Sequence, residues 1–191
     1  PALLRPLRLP GHRARHHVRR DRELLAQPGT GPAGAPAFAN NTGSGADRLN
    51  ALRAIASNPA NAVRTGTVAD INYRQAANNL CNVDSPATSV ASCNLQVMGR
   101  VSYALIQFPQ AGTYNVSIAH DDNVELGFSS DYANTAYRTA SYDVPVGTVN
   151  DWTANEETYV SLGSFTAANA NSCALVRMYW LNHGGINHAR L

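Results

Sequence analysis

Two adjacent acids, Asp121 and Asp122, are the residues of this sequence best suited to bind a metal ion. Neighbouring carboxylates repel each other unless a cation lies between them, and no Lys or Arg occurs within ten residues on either side. A hard cation such as calcium takes several oxygen ligands at once and would relieve that repulsion. An ordinary β-turn is the alternative interpretation, because Asp and Asn are also frequent turn residues.

The segments before and after the acidic pair alternate between apolar and polar residues, which is typical of strands with one buried face. The apolar positions are Tyr114, Val116 and Ile118 before the pair and Val124, Leu126 and Phe128 after it. The sequence therefore predicts a strand, an acidic turn and a second strand over residues 112–128.

Other elements are predicted from the same kind of pattern. One helix is predicted over about residues 46–57, since Ser44 and Asp47 have the spacing of a capping box and Asn58-Pro59 ends the run. Further strands are predicted at residues 65–73, 101–108, 159–162, 173–181 and from 188 onward. A hairpin through Gln110-Ala111-Gly112 is expected to join residues 101–108 to the central stretch.

Three pieces of sequence together resemble a known family. They are Gly112-x-Tyr114, then His120-Asp121-Asp122-Asn123, and much later the stretch from Arg177 to Leu191, which contains Asn182-His183-Gly184-Gly185-Ile186-Asn187. Residues 99–191, about half of the chain, resemble the protective-antigen-type β-sandwich domain, whose family includes the anthrax toxin component, the yeast flocculins and the epithelial adhesins. The resemblance implies an all-β, antiparallel, jelly-roll-like sandwich with one short helix.

The resemblance also implies a calcium site. In the lectin members of the family the paired aspartates are joined by a cis peptide and bind calcium, which then holds sugar hydroxyls. Transferred to this sequence, the implied metal ligands are the side chains of Asp121, Asp122 and Asn182 and the backbone carbonyls of Gly184 and Ile186. Asn123, Tyr137 and His183 are expected to contact a ligand, although Asn123 stands where the family usually has Gly.

The charge of the chain is distributed unevenly. Residues 1–22 carry seven Arg against Asp21 alone, a balance of +6, whereas the remainder carries eight Arg against twelve acids, a balance of −4. We expect an N-terminal arm over residues 1–40, rich in Pro, Gly and Arg, and a β-sandwich domain over residues 41–191. A basic arm can bind nucleic acid, but it can also dock on an acidic neighbour. We expect the latter, with copies of the protein forming a homo-polymer.

Cysteine use and composition favour an extracellular protein. The chain has no lysine and only 15% charged residues. Cys81 and Cys93 flank a turn-rich loop and are predicted to form a disulfide, which requires an oxidising compartment. Cys173 is interpreted as a buried thiol, although a bridge to another cysteine is also open. No apolar run approaches the length of a membrane span.

Enzymatic function is not indicated. Asp151, Glu156 and Glu157 have the residue types of a glycosidase carboxylate pair, but they lie in a polar segment that is more typical of a solvated loop. His120 with His183 and His188 is a weaker zinc candidate, since no helical HExxH pattern accompanies it.

Two functions remain. The preferred one is a calcium-binding subunit of an extracellular filament assembled through residues 1–40. The other is a monomeric, calcium-dependent carbohydrate-binding adhesion module, in which exposed aromatic residues from the segment 131–155 would stack on sugar rings; the candidates are Tyr132, Tyr137, Tyr142 and Trp152. Asn40-Asn41-Thr42 and Asn115-Val116-Ser117 also match the acceptor pattern for N-glycosylation, with Asn115 expected to face outward on its strand.

Overall fold

The computed structural model describes residues 21–25, 44–58, 62–66, 71–74, 98–130, 137–182 and 188–191, with 21–25, 62–66 and 98 as backbone only. Within these ranges the chain forms one helix and ten strands. They are β1 (Asp21–Leu25), α1 (Gly45–Ala56), β2 (Ala62–Gly66), β3 (Asn72–Arg74), β4 (Met98–Phe108), β5 (Gly112–Asp121), β6 (Asn123–Phe128), β7 (Val144–Val149), β8 (Val160–Ala167), β9 (Ser172–Asn182) and β10 (His188–Arg190).

The strands form two antiparallel sheets. Sheet 1 has six strands in the order β2-β1-β4-β9-β6-β7, and sheet 2 has four in the order β3-β10-β5-β8. The predicted all-β sandwich with one short helix is confirmed. The longest ladder joins β4 to β9 in continuous register from Met98↔Asn182 to Phe108↔Ser172.

Two strand predictions were wrong in their pairing. Residues 65–73 do not form one strand, because β2 ends at Gly66 in sheet 1 and β3 begins at Asn72 in sheet 2. The expected hairpin between β4 and β5 is not formed either, since β4 pairs with β1 and β9 while β5 pairs with β8 and β10. Local alternation marks a strand but does not choose its partner.

The main core lies between the sheets. Phe108, Phe128 and Phe165 pack there with ring centroids 4.2–5.9 Å apart. At the side of the sandwich where β7 and β8 meet, a Cβ on Gly147 would collide with the carbonyl oxygen of Leu162, and a Cβ on Gly163 would collide with that of Val146. Glycine at these two positions lets the edges of the two sheets approach each other closely.

A smaller cluster lies on the other face of sheet 1. Helix α1 begins with the predicted capping box, in which Ser44 Oγ accepts from Asp47 N and Ser44 N donates to Asp47 Oδ2. Leu49, Leu52 and Ile55 of the helix are buried against the sheet in this helix-side cluster. The described part of the chain contains no helix long and apolar enough to span a membrane.

Candidate functional site

The acidic pair lies where the chain crosses from sheet 2 to sheet 1, between β5 and β6. The peptide bond between Asp121 and Asp122 is cis, as the family resemblance implied. Backbone groups of both residues are held by β9, because Trp180 Nε1 donates to Asp121 O at 2.7 Å and Asp122 N donates to Leu181 O at 3.2 Å. Both residues are therefore fastened to the longest ladder of the fold.

The two carboxyl groups contact each other. Asp122 is buried, and burial, a hydrogen bond to Asp122 and the charge of Asp122 raise the pKa of Asp121 to about 8. Such a shift means that the pair holds a proton at neutral pH where two free carboxylates would not. A divalent cation bound by both groups would displace that proton.

Asn182 lies next to this pair. It is the last residue of β9 and is fully buried. Since Asn123 pairs with Leu181 in the β6–β9 ladder, the preceding position, Asp122, falls opposite Asn182. The structure thus places the three residues predicted as side-chain ligands, Asp121, Asp122 and Asn182, next to one another along the backbone.

The remaining predicted site residues of the late loop, His183, Gly184 and Ile186, lie outside the described residues, as do Cys81 and Cys93. Among the described residues, no group of three or more His, Cys, Asp or Glu side chains could hold a metal ion. The oxygen donors of two aspartates and an asparagine amide fit a hard cation rather than a transition metal.

A second polar cluster lies directly below the acidic pair. His120, His188 and Thr153 are all buried. His120 Nδ1 donates to Asp122 O at 2.6 Å, since a carbonyl oxygen can only accept. Thr153 Oγ1 accepts from His120 N at 3.1 Å and is hydrogen-bonded to His188 Nε2 at 2.9 Å. This hydroxyl joins β5, β10 and the segment between β7 and β8.

Burial lowers the pKa of His188, with Glu156 acting in the opposite direction and His120 and Arg190 adding to the decrease. His188 is therefore neutral in this cluster at physiological pH. In the part of the chain that the structure describes, the buried Nε2 of His120 has no hydrogen-bond partner, and Asp151 Oδ1 lies 3.8 Å from it.

Residues 151–157, here called the covering segment, are fastened across sheet 2. Trp152 forms a β-bridge with Asp121, and Thr153 N donates to His120 O at 2.8 Å. Farther along, Glu156 pairs with Arg74 of β3, and Glu157 pairs with both Arg74 and Arg190 of β10, each at 2.8 Å. The segment thus spans β5 and β10, and Glu156 and Glu157 act as ion-pair partners.

Trp152 is the most exposed large apolar side chain in the described part of the chain, at 67%. Its β-bridge to Asp121 puts it beside the acidic pair. In the sequence Trp152 is only one of several aromatic residues in this region, because its neighbours Asp151 and Thr153 give no signal of the bridge. Tyr159, at 44%, is the only other exposed aromatic among the described residues.

Asn123, which stands where the family usually has Gly, is fully buried. Its Oδ1 accepts from Arg48 Nε and its Nδ2 donates to Asn150 Oδ1, each at 3.4 Å. A Cβ on Gly45 would collide with both Asn123 and Asn150, so the start of α1 lies directly against them. Asn123 therefore links the helix to the acidic turn.

Tyr137 lies elsewhere. Its ring packs against Tyr103 of β4 with centroids 5.0 Å apart, as part of the helix-side cluster. Cys173 is a half-buried free thiol on β9, opposite Gln107.

Comparison with solved structures identifies the fold. The PA14 domain of the antifreeze protein MpAFP superposes with a TM-score of 0.54 at 18% sequence identity, covering 89% of this chain and 78% of that one. The A domain of epithelial adhesin 9 from Candida glabrata, in complex with Galβ1-4GlcNAc, has a TM-score of 0.48 at 12% identity, covering 88% of this chain and 77% of that one. No protein-family model and no curated protein matches the sequence. The first superposition shows a PA14-like fold and supports the resemblance at the level of the fold.

Proposed function

We propose that this protein is a non-enzymatic, extracellular carbohydrate-binding module of the adhesion type that depends on calcium. The observation that carries the proposal is the position of an exposed tryptophan, Trp152, beside two carboxyl groups that contact each other. Oxygen donors that converge on a cation and an aromatic face next to them are the two elements needed to hold a polyhydroxylated ring.

Asp121, Asp122 and Asn182 provide three side-chain donors for calcium in this proposal, and the backbone carbonyls of Gly184 and Ile186 provide two more. When bound, the ion supplies open coordination positions for sugar hydroxyls. The backbone bonds from Trp180 and to Leu181 keep the acidic turn in place, so little ordering of the turn is needed on binding.

The position of Trp152 supports the sugar-binding part of the proposal. At 67% exposure, Trp152 presents a large amphipathic ring to solvent, which is the kind of face that can pack against a sugar ring. The segment that carries it is fixed by Thr153 on one side and by the Glu156 and Glu157 ion pairs on the other. The indole is thus presented on a rigid support.

Calcium binding is tested by thermal denaturation in chelator and in calcium. A ligand at a hundred times its Kd stabilises the folded state by about 2.7 kcal/mol. We expect a rise in Tm with calcium that Asp122→Asn abolishes. Asp143→Asn is the matched control, since Asp143 is an acid bonded to Ser130 on the segment before β7. An equal rise in the Asp122→Asn protein would contradict the site.

Sugar binding is tested on a glycan array with and without chelator. We expect binding that chelator abolishes and that Trp152→Ala weakens, while Tyr159→Ala, which removes the other exposed aromatic, leaves it unchanged. Binding that persists in chelator would separate sugar recognition from the acidic pair.

Assembly through residues 1–40 remains a second candidate. The described part of that arm is β1, which lies between β2 and β4 of the same chain's sheet. This arrangement favours an arm that docks on its own domain, and exchange of β1 between copies would be the route to a polymer. Deletion of residues 1–20 spares β1. Electron microscopy of the full and the shortened chain tests the idea. If only the full chain forms filaments, residues 1–20 take part in assembly. If both form the same filaments, residues 1–20 have no role in assembly.

A further inference from the structure

The acceptor pattern Asn115-Val116-Ser117 lies in the exposed half of β5, away from the acidic pair. Asn115 and Ser117 are both exposed, whereas Val116 between them is half-buried against the core. The side chains of alternate residues in a strand point to the same face of the sheet. The amide that would accept a sugar and the hydroxyl that the pattern requires therefore lie together on the outer face of sheet 2.

The surroundings of Asn115 leave room for a bulky group. In the β5–β8 ladder Asn115 pairs with Ser164, Thr113 with Thr166, and Ser117 with Ser161. All of these residues are exposed, small and uncharged, and the two threonine hydroxyls bond each other at 3.0 Å. No side-chain hydrogen bond engages the Asn115 amide within the described part of the chain.

We propose that Asn115 is a site of N-linked glycosylation. In the reaction, Asn115 Nδ2 attacks the anomeric carbon of a lipid-linked oligosaccharide diphosphate. The new bond joins that carbon to Nδ2, the bond from the carbon to the diphosphate oxygen breaks, the lipid diphosphate leaves with that electron pair, and the proton lost from Nδ2 passes to solvent. Transfer takes place on the extended chain during secretion, so the folded structure has only to accommodate the product, which the open face around Asn115 does.

The glycan would leave the candidate binding site uncovered. Asn115 and Asp121 lie six positions apart on one strand, which corresponds to about 20 Å at the usual rise of a strand. The covering segment lies over the Asp121 end of the strand. A glycan at Asn115 and a ligand at the acidic pair can therefore be present together.

The test is secretion of the full chain from eukaryotic cells that perform N-glycosylation, with Asn40→Gln in the background so that one acceptor pattern remains. We expect peptide-N-glycosidase to increase the electrophoretic mobility of the secreted protein and to leave Asp at position 115 in the peptide mass spectrum. Asn115→Gln and Ser117→Ala should abolish the shift, and Ser117→Thr, which keeps the hydroxyl, should retain it.

All three substitutions are at exposed positions, and an unchanged Tm of each variant shows that the fold is intact. A secreted protein with an unmodified Asn115 would overturn the proposal. So would a shift that survives Ser117→Ala. The readout is independent of calcium and of sugar binding, so its failure would not affect the proposed function.

Discussion

Strand β5 has two ends whose outer faces are used differently. From Thr113 to Ser117 the outer face is open, uncharged and lined by small hydroxyl and amide groups. From His120 to Asp121 the strand is flanked by β10 and by the covering segment, and its polar groups are engaged by Thr153, His188 and Trp180. The period-two alternation of the open end stops at Ile118, and Ile118, Ala119 and His120 are all buried, so the strand changes from one buried face to two along its length.

Burial of polar groups is costly unless each one is hydrogen-bonded. The covered end of β5 concentrates such groups, while the open end has none that is buried. A chain gains little stability from such an arrangement compared with an apolar one, so the covered end is where a binding function is to be expected.

The largest effect that separates the two ends should come from Trp180, which lies beneath the covered end. The residue is fully buried, and its ring stacks on Tyr73 with centroids 5.4 Å apart. Trp180→Ala should lower the free energy of unfolding by about 3–5 kcal/mol, measured by urea denaturation. Trp180→Phe, which keeps a ring and loses the bond to Asp121 O, should cost less. If Trp180→Ala and Trp180→Phe lower the free energy of unfolding equally, the ring contributes nothing to stability beyond its hydrogen bond to Asp121 O.

Two isosteric substitutions compare the ends directly. Thr153→Val removes the hydroxyl that serves His120 N and His188 Nε2, and each buried group left unpaired costs about 1–3 kcal/mol. Thr113→Val makes the same change at the open end and should alter stability by no more than about 0.5 kcal/mol. Urea denaturation of both variants measures the difference. If the two variants lose similar amounts of unfolding free energy, the polar cluster around Thr153 does not contribute to stability.

The acidic pair gives the covered end a pH dependence in the absence of metal. The folded-state pKa of Asp121 is raised from 3.8 to about 8, so the stabilising effect of its proton is complete below about pH 4 and is lost as the pH rises through about 8. The Tm of calcium-free protein should therefore fall between these values, and calcium should oppose the fall. Asp121→Asn should flatten the profile, and a profile that retains its slope in this variant would assign the dependence to another group.

The smallest effect on stability should come from Trp152→Phe. Because the chain has two tryptophans, one 67% exposed and one fully buried, this substitution isolates the emission of Trp180. We expect a blue-shifted spectrum, near-complete loss of iodide quenching and a change in stability within about 0.5 kcal/mol. Strong quenching in the variant would contradict the burial of Trp180.

Local patterns in the sequence predicted much of the fold. Period-two alternation located β5 and β6, the strand predicted at residues 173–181 covers most of β9, and the Ser44 and Asp47 spacing predicted the start of α1 within one residue. Pairing was predicted less well, because sheet membership depends on contacts between residues far apart in the chain. Nothing near residues 65–73 indicates that β2 and β3 belong to different sheets.

The candidate site was predicted only in part, and the reason is again that some of its contacts join residues far apart in the chain. Asp121, Asp122 and Asn182 were identified through the family resemblance, and β9 brings them together. Thr153 and Trp152 were not singled out, since their importance comes from a bridge to a strand some thirty residues earlier. Asn123 was noted as a departure from the family, and its contacts with Arg48 and Asn150 give the reason for it.

The close approach at Gly147 and Gly163 also determines how the sandwich can grow. With those glycines β7 and β8 are held edge against edge, which leaves no width for another strand between them. Among the described strands, the opposite margins are β2 in sheet 1 and β3 in sheet 2. In the described part of the two sheets, a further edge strand can therefore be added only beside β2 or β3, on the side of the sandwich opposite the two glycines.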